Sequence, residues 1–206
     1  MSLRSRETVG SVLTAAMSGQ VTRWLRQWKS GDAAALEHLM PFVYDELREV
    51  AKRQLRHESS AHTLTPTALV HEVYLRFVQQ RQLVATDREH FFAIAGRTMR
   101  RILVDHARAQ RRQKRGGGER PVELDENAPL LEANEVDEVL ALEEALERLA
   151  GESERAVRVV ECRIFAGLTL EETASALSLS SKSVQRTWSA VSAWLRKEIG
   201  ELPGKS

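Results

Sequence analysis

The chain is short of nearly everything that would mark an extracellular, membrane-bound or β-rich protein. Its 206 residues include one cysteine, five prolines, four tryptophans, two tyrosines and five phenylalanines. A single thiol, Cys162, forms neither an internal disulfide nor a thiolate zinc site, so a reducing compartment is the default. It lies in the apolar run Val159-Val160-Glu161-Cys162 and is expected to be a small buried apolar residue. Few aromatics and prolines disfavour a β-sandwich or a Pro-rich tail and suit helices. No run of about 18 apolar residues exists to span a membrane, and the first twenty residues carry no apolar stretch of the signal-peptide kind. An excess of either charge is lacking too. With 30 Lys and Arg against 29 Asp and Glu, the net charge of +1 argues, as a sum, against a nucleic-acid binder. What the chain has is 42% apolar and 29% charged residues, enough for a core, and a length that allows one or two domains.

The small sum conceals a pattern. Arg97 to Arg120 holds nine bases and two acids, Val122 to Glu154 one base and twelve acids, and Arg155 to Lys197 seven bases and three acids. Two basic blocks are thus cancelled by an acidic block between them. They act locally, because charges more than about 8–10 Å apart are largely screened at physiological salt.

Hydrophobic periodicity is helical almost throughout. Trp24, Leu25 and Trp28 mark a short helix closed by Ser30-Gly31-Asp32. Asp32 is the expected N-cap of a long helix through Leu36, Leu39, Phe42, Val43, Leu47, Val50 and Leu55, with a kink or break at Pro41. Thr65-Pro66 reads as N-cap and first helical residue, followed by Leu69, Val70, Val73, Leu75, Phe77 and Val78. Thr86 and Glu89 fit a capping box for a helix that ends in the basic run Gln110–Arg115 and Gly116-Gly117-Gly118. Residues 114–136, rich in glycine, proline and acids and without a period, read as a flexible linker. Helices resume at Val136 and continue through Leu149, Arg155–Phe165, Leu170–Leu177 and Ser181–Glu198. The expected fold is all-α: a disordered extension over 1–20, a helical domain over 21–113, the acidic linker over 114–136, a second helical domain over 137–200 and a tail over 201–206.

The last two helices carry the most information. Thr169 and Glu172 form a second capping-box match, and Ser178-Leu179-Ser180 supplies a tight turn. Such a helix-turn-helix needs a small residue on its first helix, met by Ala174, and a β-branched apolar residue on its second, met by Val184. It also needs a positive φ near Ser178, where glycine is usual. Ser181, Lys182, Ser183, Gln185 and Arg186 lead the second helix with donors for phosphates and base edges, Gln suiting adenine and Arg or Lys guanine. At 1.5 Å per residue that helix is about 25 Å long and crosses about six base pairs of a major groove.

The order of parts resembles the small extracytoplasmic-function group of bacterial RNA polymerase sigma factors, along about residues 20–200. Thr67-Ala-Leu-Val-His-Glu-Val-Tyr-Leu-Arg76 is similar to the region 2.2 signature that docks on the polymerase clamp helices, departing from it at Ala68 and His71. Phe91 through Arg108 is similar to regions 2.3 and 2.4, which melt and read the −10 element. Leu146–Leu149 with Gly167–Glu172 through Leu195 is similar to region 4, which reads the −35 element. The resemblance implies core contacts from Thr67, His71, Glu72, Tyr74 and Arg76. It implies −10 contacts from Arg88, Phe91, Arg97, Arg100, Arg101, Arg108, Arg111 and Arg112, with a base pocket in the loop 82–88. The −35 contacts fall to Ser181, Lys182, Ser183, Gln185 and Arg186. Partners would be core RNA polymerase (clamp helices and flap), duplex and single-stranded promoter DNA, and an anti-sigma factor where one exists. The location would be cytoplasmic, at the nucleoid, with no membrane partner. Helix periodicity places Arg97, Arg100, Arg101, Asp105 and Arg108 on one face, suited to holding a melted strand. Of Phe91 and Phe92, about 100° apart on a helix, at least one is expected in the core.

Two competing readings are weaker. His71-Glu72 starts like a zincin helix, but Leu75 stands where the second histidine is required, and Gly116–Gly118 lacks the Lys-Ser/Thr of a phosphate loop. Neither catalysis, a metal nor a cofactor is expected. A stand-alone helix-turn-helix regulator with an N-terminal sensing domain is the other reading, distinguished by whether activity depends on polymerase.

Overall fold

The computed structural model describes residues 19–32, 34–55, 65–80, 85–115 and 133–199, and every regular element among them is helical. The expected loop over 57–60, the loop 82–84, Gly116–Gly118, most of the linker and the tail fall outside the described residues. The first helix, α1 (19–29), starts inside the span assigned to the N-terminal extension. It buries Val21, Leu25 and Trp28, a spacing of four and then three that puts all three on one side. It stops at Gly31, whose φ of 99° is open to glycine and costly to other residues.

Helix α2 (Ala35–Gln54) starts later than the sequence suggests: Ala34 is its N-cap, and the Asp32 Oδ1 accepts the Ala34 amide at 3.0 Å. Pro41 neither breaks nor ends it. The ring lies on the exposed side while Leu36, Leu39, Val43 and Leu47 are buried on the other, so packing of the flanking turns outweighs the missing amide hydrogen bond. Helix α3 (Pro66–Gln80) begins as expected, with the Thr65 hydroxyl accepting the Ala68 amide at 3.1 Å.

Helix α4 (Arg88–Arg115) is capped one residue later than the Thr86–Glu89 spacing implies. Asp87 Oδ1 accepts the His90 amide at 2.9 Å, and the Thr86 hydroxyl donates to Asp87 Oδ2. A carboxylate at an N-terminus also meets the helix dipole, which a hydroxyl does not.

Helices α5 (Ala133–Glu152) and α6 (Glu154–Val160, capped by Ser153) follow. A π-helical turn over Glu161–Phe165 continues α6, closed by the Ala166 amide donating to the Glu161 carbonyl at 2.9 Å. Helices α7 (Leu170–Leu177) and α8 (Ser181–Ile199) complete the chain. Since α4 runs to Arg115 and α5 begins at Ala133, helix occupies both margins of the expected linker.

Helix α4 is the axis of the molecule. It packs against α2 and α3 on one side and against α5, the π-turn and α7 on the other. The largest apolar cluster gathers α1–α4 and extends to Cys162 in the π-turn and to Ala166 and Leu168 after it. Ala107 of α4 joins Val136 and Leu140 of α5. Phe165, Val191 and Leu195 belong to a second cluster with Leu142, Leu146 and Leu149.

Candidate nucleic-acid and polymerase interfaces

The pair α7–α8 is built by local rules. Thr169 accepts the Glu172 amide at 3.1 Å while Glu172 accepts the Thr169 amide at 2.8 Å, so the capping box is complete. Ser178 takes φ 53° and ψ 44°, the left-handed conformation the turn demands. Its amide and that of Leu179 satisfy the last carbonyls of α7. Ala174 and the fully buried Val184 meet over Val159 of α6, fixing how α8 crosses α7. Arg163 lies 5.4 Å over the Trp188 ring and ties the π-turn to α8. On the outer side Ser181, Lys182, Gln185 and Arg186 are exposed and Ser183 is half-buried. Among the described residues no acid pairs with Lys182 or Arg186. This leading edge presents two cations and an amide to solvent on a rigid base.

The α4 set is divided. Arg101 and Arg112 are exposed and Arg111 half-buried. Arg97, Arg100 and Arg108 are all paired with acids from the C-terminal half. Arg100 donates to Glu143 Oε2 from Nε at 2.9 Å and from Nη2 at 2.6 Å, and to Glu161 Oε1 at 2.7 Å. Arg97 takes the other oxygen of Glu161 at 3.2 Å, and Arg108 pairs with Glu147 at 3.2 Å. Asp105 turns toward α3 and pairs with Arg76. Arg88 pairs with Glu46 at 2.5 Å and reaches Glu172 and Glu89. Burial alone would lower its pKa, but the charge and hydrogen bond of Glu46, with Glu172 and Glu89, outweigh this and raise it. Phe91 is corrected from base contact to core. Its ring is wholly buried, 5.7 Å from Phe77 and 5.4 Å from Phe92, both edge-on.

The expected polymerase contacts on α3 also separate. Thr67, His71 and Tyr74, with Val70, face Glu37, Met40 and Tyr44 of α2 across an open cleft of about 280 Å³. Glu72 and Arg76 instead reach α4: Glu72 Oε1 stands 3.0 Å from His106 Nε2, and Arg76 meets Asp105. Sequence reasoning missed two exposed apolar residues of α3 that do not line the cleft. Leu75 and Val78, read from the sequence as apolar positions of this helix, are 52% and 46% exposed. The signal was present: Leu69, Val70, Val73 and Phe77 already fill one side of α3, and Leu75 lies about 200° round from Val73.

Cys162 is buried as expected. Burial pushes its thiol up to about 12, helped by the Glu161 charge and opposed by Arg97. An unfolded thiol titrates at about 8.5, so the neutral form is favoured in the folded chain. This contribution is complete below about pH 8.5 and is lost as pH rises toward 12. Alkylation by iodoacetamide at about pH 8, followed by mass spectrometry, should be at least about a hundredfold slower in the native than in the urea-unfolded chain. Equal rates would show that Cys162 is accessible.

No curated protein and no solved structure matches the chain. Among the described residues no helix is long and apolar enough to cross a membrane. The family model described as ECF sigma factor matches residues 18–201. That span takes in every element described above, so the chain belongs to the ECF sigma factor family, whose members work with RNA polymerase in promoter-specific transcription initiation and are not enzymes by themselves.

Proposed function

We propose that the chain binds core RNA polymerase through α2–α3, reads a −35 element with α7–α8 acting as a helix-turn-helix, and melts and holds a −10 element along α4. In this reading residues 21–113 and 137–200 are two promoter-engaging units, with the second also meeting the polymerase flap and the acidic segment between them acting as a tether. The observation that carries it is the α8 leading edge. Lys182, Gln185 and Arg186 stand exposed at the start of a helix whose crossing is fixed by Ala174 and Val184. Those are the positions from which a recognition helix reaches base edges. The cleft between α2 and α3, with Leu75 and Val78 open beside it, offers the apolar surface a protein partner requires. The arginines of α4 supply cations for a single strand, whose binding must offset about a few kcal/mol of unstacking.

Run-off transcription tests this reading. Core polymerase plus the chain should initiate at discrete start sites on genomic templates, and neither alone should do so. Tight operator footprints by the chain alone, with no initiation alongside core, would establish the stand-alone regulator instead.

A further inference from the structure

The start of α4 is fastened to α2 by one arginine. Arg88, the first residue of α4, turns its Nη2 to both oxygens of Glu46, at 2.5 and 2.6 Å. Its Nη1 faces Glu172 of α7 at 3.4 Å and Glu89 at 3.7 Å. The guanidinium lies 4.9 Å over the ring of Phe92, which is buried in the N-terminal cluster, so the group is held from below as well as from its sides. The Arg88 side chain is 18% exposed. Arg101 and Arg112 of the same helix, by contrast, are exposed and pair with no acid among the described residues.

We infer that Arg88 is a positioning residue and not a DNA contact: through Glu46 it holds the N-terminal end of α4, and with it the promoter-strand side of that helix, on the polymerase-facing pair α2–α3. The inference rests on the polymerase and DNA faces proposed above and takes Arg88 out of the −10 set. Charge argues against a phosphate at this place. Three carboxylates face one guanidinium, and Glu46 and Glu89 outnumber it without Glu172. A DNA strand approaching Arg88 therefore meets net negative charge at close range. Its donors are also occupied, since a carboxylate takes the same guanidinium fork that a phosphate requires. The place of Glu46 on α2 supplies the positioning role. Tyr44 lines the cleft assigned to polymerase, and Glu46, two residues on, points about 200° away from it. Polymerase holding one side of α2 and Arg88 holding the other together set the direction of α4, which carries Arg97 to Arg112. Neither Glu46 nor Arg88 lines the cleft, so the pair acts on strand opening and not on attachment to polymerase.

Holoenzyme reconstituted from core polymerase and the full-length chain tests this at a start site mapped by run-off transcription. Permanganate reactivity of thymines upstream of that site follows strand opening, and anisotropy of the dye-labelled chain titrated with core follows attachment. E46Q and R88Q should each slow strand opening about tenfold, within the coupling range of residues in contact, with core affinity unchanged. E46Q/R88Q should be no slower than R88Q, since both substitutions remove one and the same pair. On a fluorescein-labelled oligo(dT) of about 20 nucleotides, R88Q should leave the slope of log K against log salt as it is for the unsubstituted chain. A lost phosphate contact would instead lower that slope by about 0.7, and E46Q would tighten binding by freeing Arg88. Glu46 is 41% exposed, so E46Q carries the test should R88Q unfold. The inference is overturned if E46Q opens the promoter at the unsubstituted rate or tightens oligo(dT) binding. It is equally overturned if the two losses multiply in E46Q/R88Q, if the loss appears in core affinity instead, or if R88Q lowers the salt slope. An unsubstituted holoenzyme that initiates nowhere removes the sigma-factor reading and this inference with it, whereas initiation together with an unimpaired E46Q removes the inference alone.

Discussion

Phe91→Ala should lower the free energy of unfolding by about 3–5 kcal/mol, the cost of deleting a fully enclosed phenyl ring. The ring is wholly buried, with Phe77 and Phe92 edge-on at 5.7 and 5.4 Å. Trp28 stands edge-on to Phe77 at 6.3 Å, extending the stack into α1. Removing the central ring therefore leaves a cavity bounded by stiff neighbours that collapse poorly onto it, and it also forfeits two aromatic contacts. At about 2–4 °C per kcal/mol for a chain of this size, the midpoint of thermal unfolding should fall by about 6–20 °C. A base-stacking Phe91 would behave in the opposite way, with unchanged stability and impaired promoter melting. Thermal melts of the two proteins followed by circular dichroism separate these outcomes.

Arg186→Ala should weaken promoter occupancy through the −35 element by about 1–3 kcal/mol, a factor of about 5 to 150. Arg186 is exposed and pairs with no acid among the described residues, so thermal stability should not change. The loss should also concentrate at one base position, because a bidentate guanidinium reads one guanine. Lys182→Ala provides the contrast. A phosphate contact weakens all −35 sequences alike, and its loss lowers the salt slope by about 1. Binding of reconstituted holoenzyme to a panel of −35 variants distinguishes the two. An Arg186→Ala holoenzyme with the same sequence preference and affinity would remove that residue from the reading edge.

Features governed by a few neighbouring residues were legible in the sequence. The all-α class, the Thr65 and Thr169 caps and the left-handed Ser178 all follow from interactions within about four residues. Errors arose where local rules tie or where distant packing decides. Thr86 and Asp87 are both competent caps, and the carboxylate prevails. Pro41 is tolerated because the leucines on the opposite side of α2 are buried. Phe91 and Phe92 are both interior because α4 is covered on two sides, so two directions about 100° apart both point inward. The π-turn at Glu161–Phe165 left no mark in the apolar period of Arg155–Phe165.

The candidate interfaces divide along the same line. The leading edge of α8 follows from the helix-turn-helix spacing alone. Segmental charge counts revealed an acidic block beside basic ones. Which acid meets which arginine, as with Glu143 and Glu161 on Arg100, depends on contacts across 43 and 61 positions of sequence that no local pattern encodes. The exposure of Leu75 and Val78 was not legible from periodicity alone, because periodicity identifies apolar residues but not how many of them one side of a helix can hold.

The apolar contribution of Cys162, Ala166 and Leu168 to the N-terminal cluster has a consequence for the lifetime of the chain. Separating the halves bares this patch, together with the surface of α4 that covers it. An opened, unengaged molecule therefore presents sticky surface and loosened backbone to aggregation and to proteases. Packing of the two halves keeps this patch from solvent. A mutation that weakens this packing would thus be felt first in cellular abundance, before any promoter is reached.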